Sequence, residues 1–352
     1  MAALYITSIG AVGKTALCAG IGRKLISKGI NVGFFMPVQL SRAGSADGYE
    51  DTAFIREVFG LTESNEQLCP ICLSQRELWQ SLTEETTDFT QKLKQAYRKI
   101  SRGKDIVIME GLGNLDVDKV AALACYTIAE TLEARVIIVL RYSPVLDVSG
   151  VLKICKKLGQ RLLGVIINFV PKPKIEAVKQ ELTTLFSEAG IKVLGILPEL
   201  RSLLGVSIGE LAKVLDGEVL TSPEAIDDIV ENIMLGAMTL DSGVEYFARK
   251  TDKAVVVRGE RPDMQLAALE TPTRCLIITN NMKPLSTVVS QAEEKHVPII
   301  VVKQGTAATI SGIEEALTKA SFRSPLKLNM FSEILDYYFD FKALNSELGL
   351  KA

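Results

Sequence analysis

Gly10, Gly13, Lys14 and Thr15 stand within the run Ser8-Ile9-Gly10-Ala11-Val12-Gly13-Lys14-Thr15. Those residue types at that spacing suit the binding of a nucleoside phosphate. A short apolar strand, Leu4 to Thr7, precedes the run, and an apolar helix, Ala16 to Ile26, follows it. Strand, glycine-rich loop and helix in that order form a P-loop. Backbone N–H groups along Gly10, Ala11, Val12, Gly13 and Ala16 would hold phosphate oxygens, and the positive helix end favours an anion. Lys14 would reach the terminal phosphates, and the Thr15 hydroxyl would ligate Mg²⁺. Ser8 departs from the pattern, which has glycine there. A chance Gly-Lys-Thr in an ordinary turn is the bland alternative, and the type and order of the flanking elements weigh against it.

A P-loop names a ligand class rather than a reaction. The stretch Asp105-Ile-Val-Ile-Met-Glu110-Gly111-Leu-Gly113 is an apolar strand that ends in a carboxylate. Mg²⁺ takes oxygen ligands, usually one or two carboxylates beside substrate phosphates, and Glu110 fits that role. A strand-end acid in a turn is the plainer reading. Asp47 and Asp51 follow the second strand in a polar loop, and Asp51 could equally cap the next helix. Cys69-Pro-Ile-Cys72 has metal-ligand spacing, but structural zinc normally takes four ligands. The sequence has no second such pair, and its one histidine, His296, is remote. A buried pair in a turn is the expectation there. His296 reads as a helix C-terminal residue, and Trp79 as core or interface.

These side chains need elements to position them. Candidate strands are Leu4–Ser8, Asn31–Pro37, Asp105–Glu110, Arg135–Leu140, Leu163–Asn168 and Val193–Leu197. Helical patterns between them cover Ala16–Ser27, Asp51–Val58, Leu78–Ile100, Val120–Leu132, Val145–Leu158 and Ile175–Ala189. Such alternation predicts an α/β fold, a mostly parallel sheet with helices on both faces. Residues 205–225, punctuated by Gly205, Gly209 and Gly217, read as a linker and hinge with one short helix, Ile208–Leu215. A second α/β pattern follows, with helices Ala225–Met234 and Asp241–Phe247 and strands Ala254–Arg258, Cys275–Thr279 and Pro298–Val302. The tail 327–348 reads as helical, its aromatics docked on a core. The division expected is 1–218 and 219–352, the second with the tail.

Bulk properties narrow the function. The chain has 352 residues, is 47% hydrophobic and carries a formal net charge of -2. That charge offers no footprint for nucleic acid or an anionic membrane surface, and no apolar run reaches the roughly 20 residues of a membrane span. No basic region opens the apolar N-terminus, as a signal peptide would require. Six scattered cysteines suit buried thiols in a reducing cytoplasm.

The series Thr7-Ser-Ile-Gly-Ala-Val-Gly-Lys-Thr15, Phe35-Met-Pro-Val38, Asp51, Glu110-Gly111 and Asn168-Phe-Val-Pro171 resembles dethiobiotin synthetase. The resemblance implies Thr15, Asp51 and Glu110 as Mg²⁺ ligands, Lys14 on phosphate, and Asn168, ahead of Pro171, on the adenine edge. An amide can pair with both a donor and an acceptor. Leu194-Gly-Ile-Leu-Pro198 is similar to the strand and turn that close the adenine pocket. The departures carry as much information. The family's loop begins with glycine where Thr7 stands. Its Lys-Pro-Val, whose lysine helps hold the substrate carbamate and carboxylate, is Met36-Pro37-Val38 here. Leu40 replaces an expected polar residue. A thioether cannot stand in for an ammonium, so the nucleotide half of the site is retained and the acyl-substrate half is lost. Ile9 stands where related partition-type ATPases carry a second lysine.

The segments Ile233-Met-Leu-Gly236-Ala237-Met238 and Ala254-Val-Val-Val-Arg-Gly259-Glu260-Arg261-Pro262-Asp263 resemble a DRTGG domain. Its Thr-Gly-Gly is Thr279-Asn280-Asn281 here, and its late Asp-Thr pair is Gly305-Thr306. A P-loop NTPase-like domain followed by a smaller α/β DRTGG domain is similar to the N-terminal region of long phosphotransacetylases. The acyltransferase domain of those enzymes is expected downstream, and this chain does not include it. The expectation is a cytoplasmic Mg²⁺- and ATP-binding regulatory protein and homo-oligomer. It would serve a partner enzyme of acyl-phosphate or cofactor metabolism, with no nucleic-acid or membrane partner. The alternative is an ATP-dependent carboxylate-activating ligase of the dethiobiotin synthetase or cobyrinic acid diamide synthase type.

Overall fold

Continuous apolar runs become strands buried on both faces, as in Ile106–Glu110, where every residue is buried. The computed structural model describes residues 1–10, 12–41, 49–84, 88–237, 243–319 and 322–350. Two compact units divide the chain, Met1–Glu199 with Leu328–Ala352, and Leu200–Lys327. The tail, kept with the second domain in the division at 218/219, thus counts with the first unit.

Among the described residues, the main sheet of the first unit has six strands: β1 (Ala2–Ile9), β2 (Val32–Phe35), β3 (Ile106–Glu110), β4 (Arg135–Arg141), β5 (Leu162–Val170) and β6 (Val193–Pro198). Their order is β2-β3-β1-β4-β5-β6, and every pairing is parallel. The chain first builds the β2 side, then crosses to β4 on the other side of β1. Such a reversal opens a crevice at the carboxyl ends of the strands, where α/β proteins hold ligands. Helix α1 (Lys14–Ser27) lies against β1 and touches α2 (Glu50–Phe59). A Cβ on Gly22 would meet the Phe59 ring at 2.0 Å, so only glycine permits that approach. Helices α3 (Phe89–Ile100) and α4 (Lys119–Thr131) bury Leu93, Tyr97, Ala124 and Ile128 in a core with Tyr5, Val107 and Ile138.

The tail forms α5 (Pro325–Tyr338) and α6 (Phe341–Leu348). Leu335 comes so near α1 that a Cβ on Gly20 would meet it at 2.5 Å. Lys24 pairs with Asp336 at 2.5 Å. Between the two helices, Phe339 makes an antiparallel bridge to Gly195, and the Asp340 N–H donates to the Leu194 carbonyl at 2.7 Å. The exposed edge of β6 is thereby covered.

Among the described residues, the main sheet of the second unit has five strands, β7 (Glu218–Val219), β8 (Asn232–Gly236), β9 (Lys253–Arg258), β10 (Thr273–Thr279) and β11 (Ile299–Val301), and Val206–Ser207 pairs separately with Ile229–Val230. The order in the main sheet is β7-β11-β10-β9-β8, antiparallel at β7 and parallel elsewhere.

Three expectations change. The helix expected over Leu78–Ile100 is two helices, Gln75–Thr83 and α3, with Glu84 already extended. Thr83, the last residue of the first helix, and Asp88, which precedes α3, are weak helix formers. The helix expected over Ala225–Met234 is a short 3-10 turn, Pro223–Ala225, followed by the strands Ile229–Val230 and β8. Short apolar runs fit either state, and pairing with β9 decides. Of the helix expected at Asp241–Phe247, Gly243–Phe247 is helical, and 241–242 lie outside the described residues.

The third change concerns the supposed hinge. None of Gly205, Gly209 and Gly217 has a positive φ. The helix between them, Ile208–Val214, is buried in the second unit's core through Ile208 and Leu211. A Cβ on Gly205 would lie 2.5 Å from both Ile229 Cγ2 and the Val230 carbonyl oxygen, and one on Gly217 would lie 2.5 Å from Ile300 Cγ2. These glycines serve close packing. Gly205→Ala is therefore expected to destabilise the second unit by ~1–3 kcal/mol. Thermal unfolding checks this, and a raised midpoint, the usual gain from a stiffer unfolded chain, would count against it.

Candidate functional site

At the end of β1 the backbone turns through Gly10 (φ +83°) and Gly13 (φ +77°), conformations that L side chains rarely adopt. Gly13 caps α1, which has no side-chain cap and no acid in its first turn. The N–H groups of the helix start therefore remain for a ligand. Val12 and Ala16 are buried, and Ala11 lies outside the described residues. Lys14 is half-buried, and its ammonium lies near Gly113, where a Cβ would stand 3.2 Å from Nζ and 3.0 Å from Ser8 Oγ. The sequence departures at Thr7 and Ser8 have work of their own. Thr7 Oγ1 donates to the Leu112 carbonyl at 2.6 Å, and Ser8 Oγ donates to the Gly10 carbonyl at 2.8 Å. The first ties the loop after β3 to the end of β1, and the second closes a turn within the P-loop itself.

Glu110 ends β3, and its Oε1 accepts from the Thr15 hydroxyl at 2.9 Å. Burial pushes its carboxyl up to about 7. Lys14 opposes that rise, Asp51 adds to it, and the Thr15 hydroxyl opposes it. Burial likewise raises Asp51, in the first turn of α2, against the pull of Lys14. Glu110 Oε2 is buried and has no hydrogen-bond partner among the described residues. A buried carboxylate oxygen left so is costly. Thr15, Glu110 and Asp51 form an all-oxygen set with excess negative charge, which fits the hard cation Mg²⁺. Asp47 lies outside the described residues.

Asn168, near the end of β5, is buried. Its Nδ2 donates to the Val12 carbonyl at 3.0 Å, and its Oδ1 accepts from the Phe169 N–H at 2.9 Å. It thus braces the P-loop, with one Nδ2 hydrogen and one Oδ1 lone pair to spare. Sequence reasoning missed Phe169. It holds φ +61°, unusual for a bulky residue, and the Arg141 guanidinium lies 4.4 Å from its ring centroid. Pro171 is half-buried just beyond β5, and Pro198, at the end of β6, is buried and paired with Val170.

A family model for the AAA domain matches residues 2–207, more than half of the chain. The chain belongs to that family. A second family model, for the DRTGG domain, matches residues 210–316. The ATP-dependent dethiobiotin synthetase of Methanococcus vannielii is 28% identical over 191 residues, 53% of this chain and 87% of that one. The phosphate acetyltransferase of Pseudomonas putida is 25% identical over 290 residues, 78% of this chain and 41% of that one. That of Pseudomonas aeruginosa is 21% identical over 363 residues, 96% of this chain and 51% of that one. The chain spans about half or less of the acetyltransferases it matches. A dethiobiotin-synthetase-like P-loop domain followed by a DRTGG domain, related to phosphotransacetylases, is the fusion the motif order implies.

Within this AAA domain the segment after β2 is filled by its own chain. Met36 and Val38 are buried, and Leu40 packs against the core. The Met36 N–H donates to the Leu68 carbonyl at 2.8 Å, and Gln39–Leu40 pairs in parallel with Cys72–Leu73. Cys69 is buried and donates to Gln39 Oε1 at 3.4 Å, whereas Cys72 is exposed. Among the described residues no group of three or more histidine, cysteine, aspartate or glutamate side chains is placed to hold a metal ion, so the Cys69–Cys72 pair gains no further ligands. Trp79 is half-exposed, and His296 is exposed at φ +53° just past its helix. No helix among the described residues is long and apolar enough to cross a membrane.

In the DRTGG domain the charged motif pairs internally. Arg261 grips Asp263 through Nε at 2.9 Å and Nη2 at 2.7 Å. Arg258 meets Glu260 at 3.1 Å. Asn280 and Asn281 turn the chain at φ +68° and +52°, and Thr279 and Thr306 approach at 3.4 Å. Met238 lies outside the described residues.

Proposed function

We propose that the P-loop domain binds Mg²⁺ and ATP, and that the protein is a nucleotide- or metabolite-sensing regulatory protein for an enzyme of acyl-phosphate or cofactor metabolism. The observation that carries this reading is Glu110 Oε2, buried without a partner beside the Thr15 hydroxyl and in the field of Lys14. Backbone N–H groups from Gly10 to Ala16 and the Lys14 ammonium hold phosphates. Thr15, Asp51 and Glu110 hold the cation, which would neutralise phosphate charge. The spare Asn168 amide groups read adenine between Pro171 and Pro198. Calorimetric titration with ATP tests the reading, with Mg²⁺ and with chelator. Binding that requires Mg²⁺ is expected, and no affinity under either condition would sink it.

Sensing is favoured over synthesis by Met36 and Leu40. Apolar side chains cannot neutralise a carbamate and a carboxylate, and burying those charges unpaired is costly. No dethiobiotin is expected from diaminopelargonate, CO₂ and ATP with the purified chain, and product formation measured by mass spectrometry would overturn this. The complete Mg²⁺ and phosphate set would also serve a carboxylate-activating ligase, since phosphoryl transfer asks mainly for positioning and charge neutralisation. Carboxylate-dependent ADP release would move the reading there.

A further inference from the structure

The amino-terminal ends of β4, β5 and β6 lie at the opposite edge of the first sheet from the P-loop. There they surround a cavity of about 340 Å³ whose lining includes Arg135, Lys156, Leu162, Ile191, Lys192 and Glu347. Its lining carries three cations and one carboxylate, so positive charge is in excess. Glu347 comes from α6. It accepts from Arg135 Nη2 at 2.9 Å on one oxygen and from Lys192 Nζ on the other. Lys192 and Arg135 hold its carboxyl below the usual carboxylate range. Arg135 Nε is buried and has no hydrogen-bond partner among the described residues. The Nε–Nη2 edge, which suits a planar or tetrahedral anion bound through two oxygens, is only half used. Lys156 makes no ion pair among the described residues.

We propose that this cavity is a second ligand site, for a small organic phosphate, and that Glu347 is its resident internal competitor. A phosphate monoester brings nearly two charges and three acceptor oxygens, against the one charge and two oxygens of Glu347. Leu162 and Ile191 give its carbon part an apolar wall, and the volume falls in the range of small-molecule pockets. Ligand binding withdraws Arg135 and Lys192 from Glu347 and loosens α6. The inference is independent of nucleotide binding at the P-loop, whose residues take no part in it.

The test uses the full chain carrying Lys14→Ala, which weakens phosphate binding at the P-loop, with glycerol 3-phosphate as the probe. Glu347→Ala is expected to tighten its binding by about tenfold, by removing charge-assisted competition. Lys156→Met, a change at an exposed position that spares folding, is expected to weaken it severalfold, and Arg135→Met by tenfold or more. In the chain that retains Glu347, saturating glycerol 3-phosphate is expected to speed amide hydrogen exchange in 341–348. No binding, unchanged affinity in Glu347→Ala or Lys156→Met, or unchanged exchange would reduce the cluster to a structural ion pair. Tighter binding of succinate than of glycerol 3-phosphate would overturn the choice of a phosphate.

Discussion

In the absence of divalent cations, the P-loop domain is expected to lose stability as the pH rises from 5 to 8, and Glu110→Gln to remove most of that loss. An ordinary glutamate releases its proton near 4.5, whereas folded Glu110 holds it to about 7. Between those values the native state binds the extra proton, so the stabilisation is complete below 4.5 and is lost as the pH passes 7. The gap corresponds to about 3 kcal/mol. Asp51 shifts in the same direction and leaves a smaller residual slope in the variant. Glutamine keeps the oxygen that accepts from Thr15 and brings no charge to bury. Urea unfolding with EDTA across that pH range measures the difference. Parallel slopes for the two proteins would show that Glu110 is not buried as a costly charge. Mg²⁺ should flatten the wild-type slope and leave the variant unmoved.

Lys14→Ala is expected to weaken Mg²⁺-ATP binding tenfold or more, the effect of losing a charge-assisted contact worth ~1.5–3 kcal/mol. Arginine should not rescue it. The ammonium sits where even a Cβ on Gly113 would come within 3.2 Å, and a planar guanidinium needs more room. Calorimetry of both variants against ATP decides. Wild-type affinity in Lys14→Ala would take the P-loop out of the binding site. The variant carries a second signature, because Lys14 also opposes the raised pKa of both Glu110 and Asp51. Its pH dependence of stability should therefore be steeper than that of the wild type.

The sheet of the P-loop domain was legible because its strands are buried on both faces and read as unbroken apolar runs. Lys14, Thr15 and Glu110 were legible because the loop pattern and the strand-end acid are local signals. The structure brings Thr15 and Glu110 to hydrogen-bonding distance across 95 residues. What escaped depends on distant partners. Asn232–Gly236 is a strand because β9 lies beside it, and nothing in its own composition rules out a helix. Gly205 and Gly217 look like hinge residues until Ile229 and Ile300 are found where their side chains would be. Phe169 carries no signal for its left-handed backbone. The buried amide of Asn168 became a brace only when Val12 arrived 156 residues away.

The P-loop domain is completed by a segment that follows the second unit in sequence, and that fixes an order of events during synthesis. The strands β1 to β6 leave the ribosome first, and α5 and α6 follow only after the roughly 130 residues between Glu199 and Leu328. At ~5–20 residues per second that interval is on the order of ten seconds. Until it ends, Gly195 on the edge of β6 has no cover, the Gly20 side of α1 lacks Leu335, and Arg135 and Lys192 lack Glu347. An open strand edge is a template for pairing with another chain. A nascent chain is thus most prone to aggregate in this window. A fragment cut at residue 218 would carry the same bare edge for its whole lifetime.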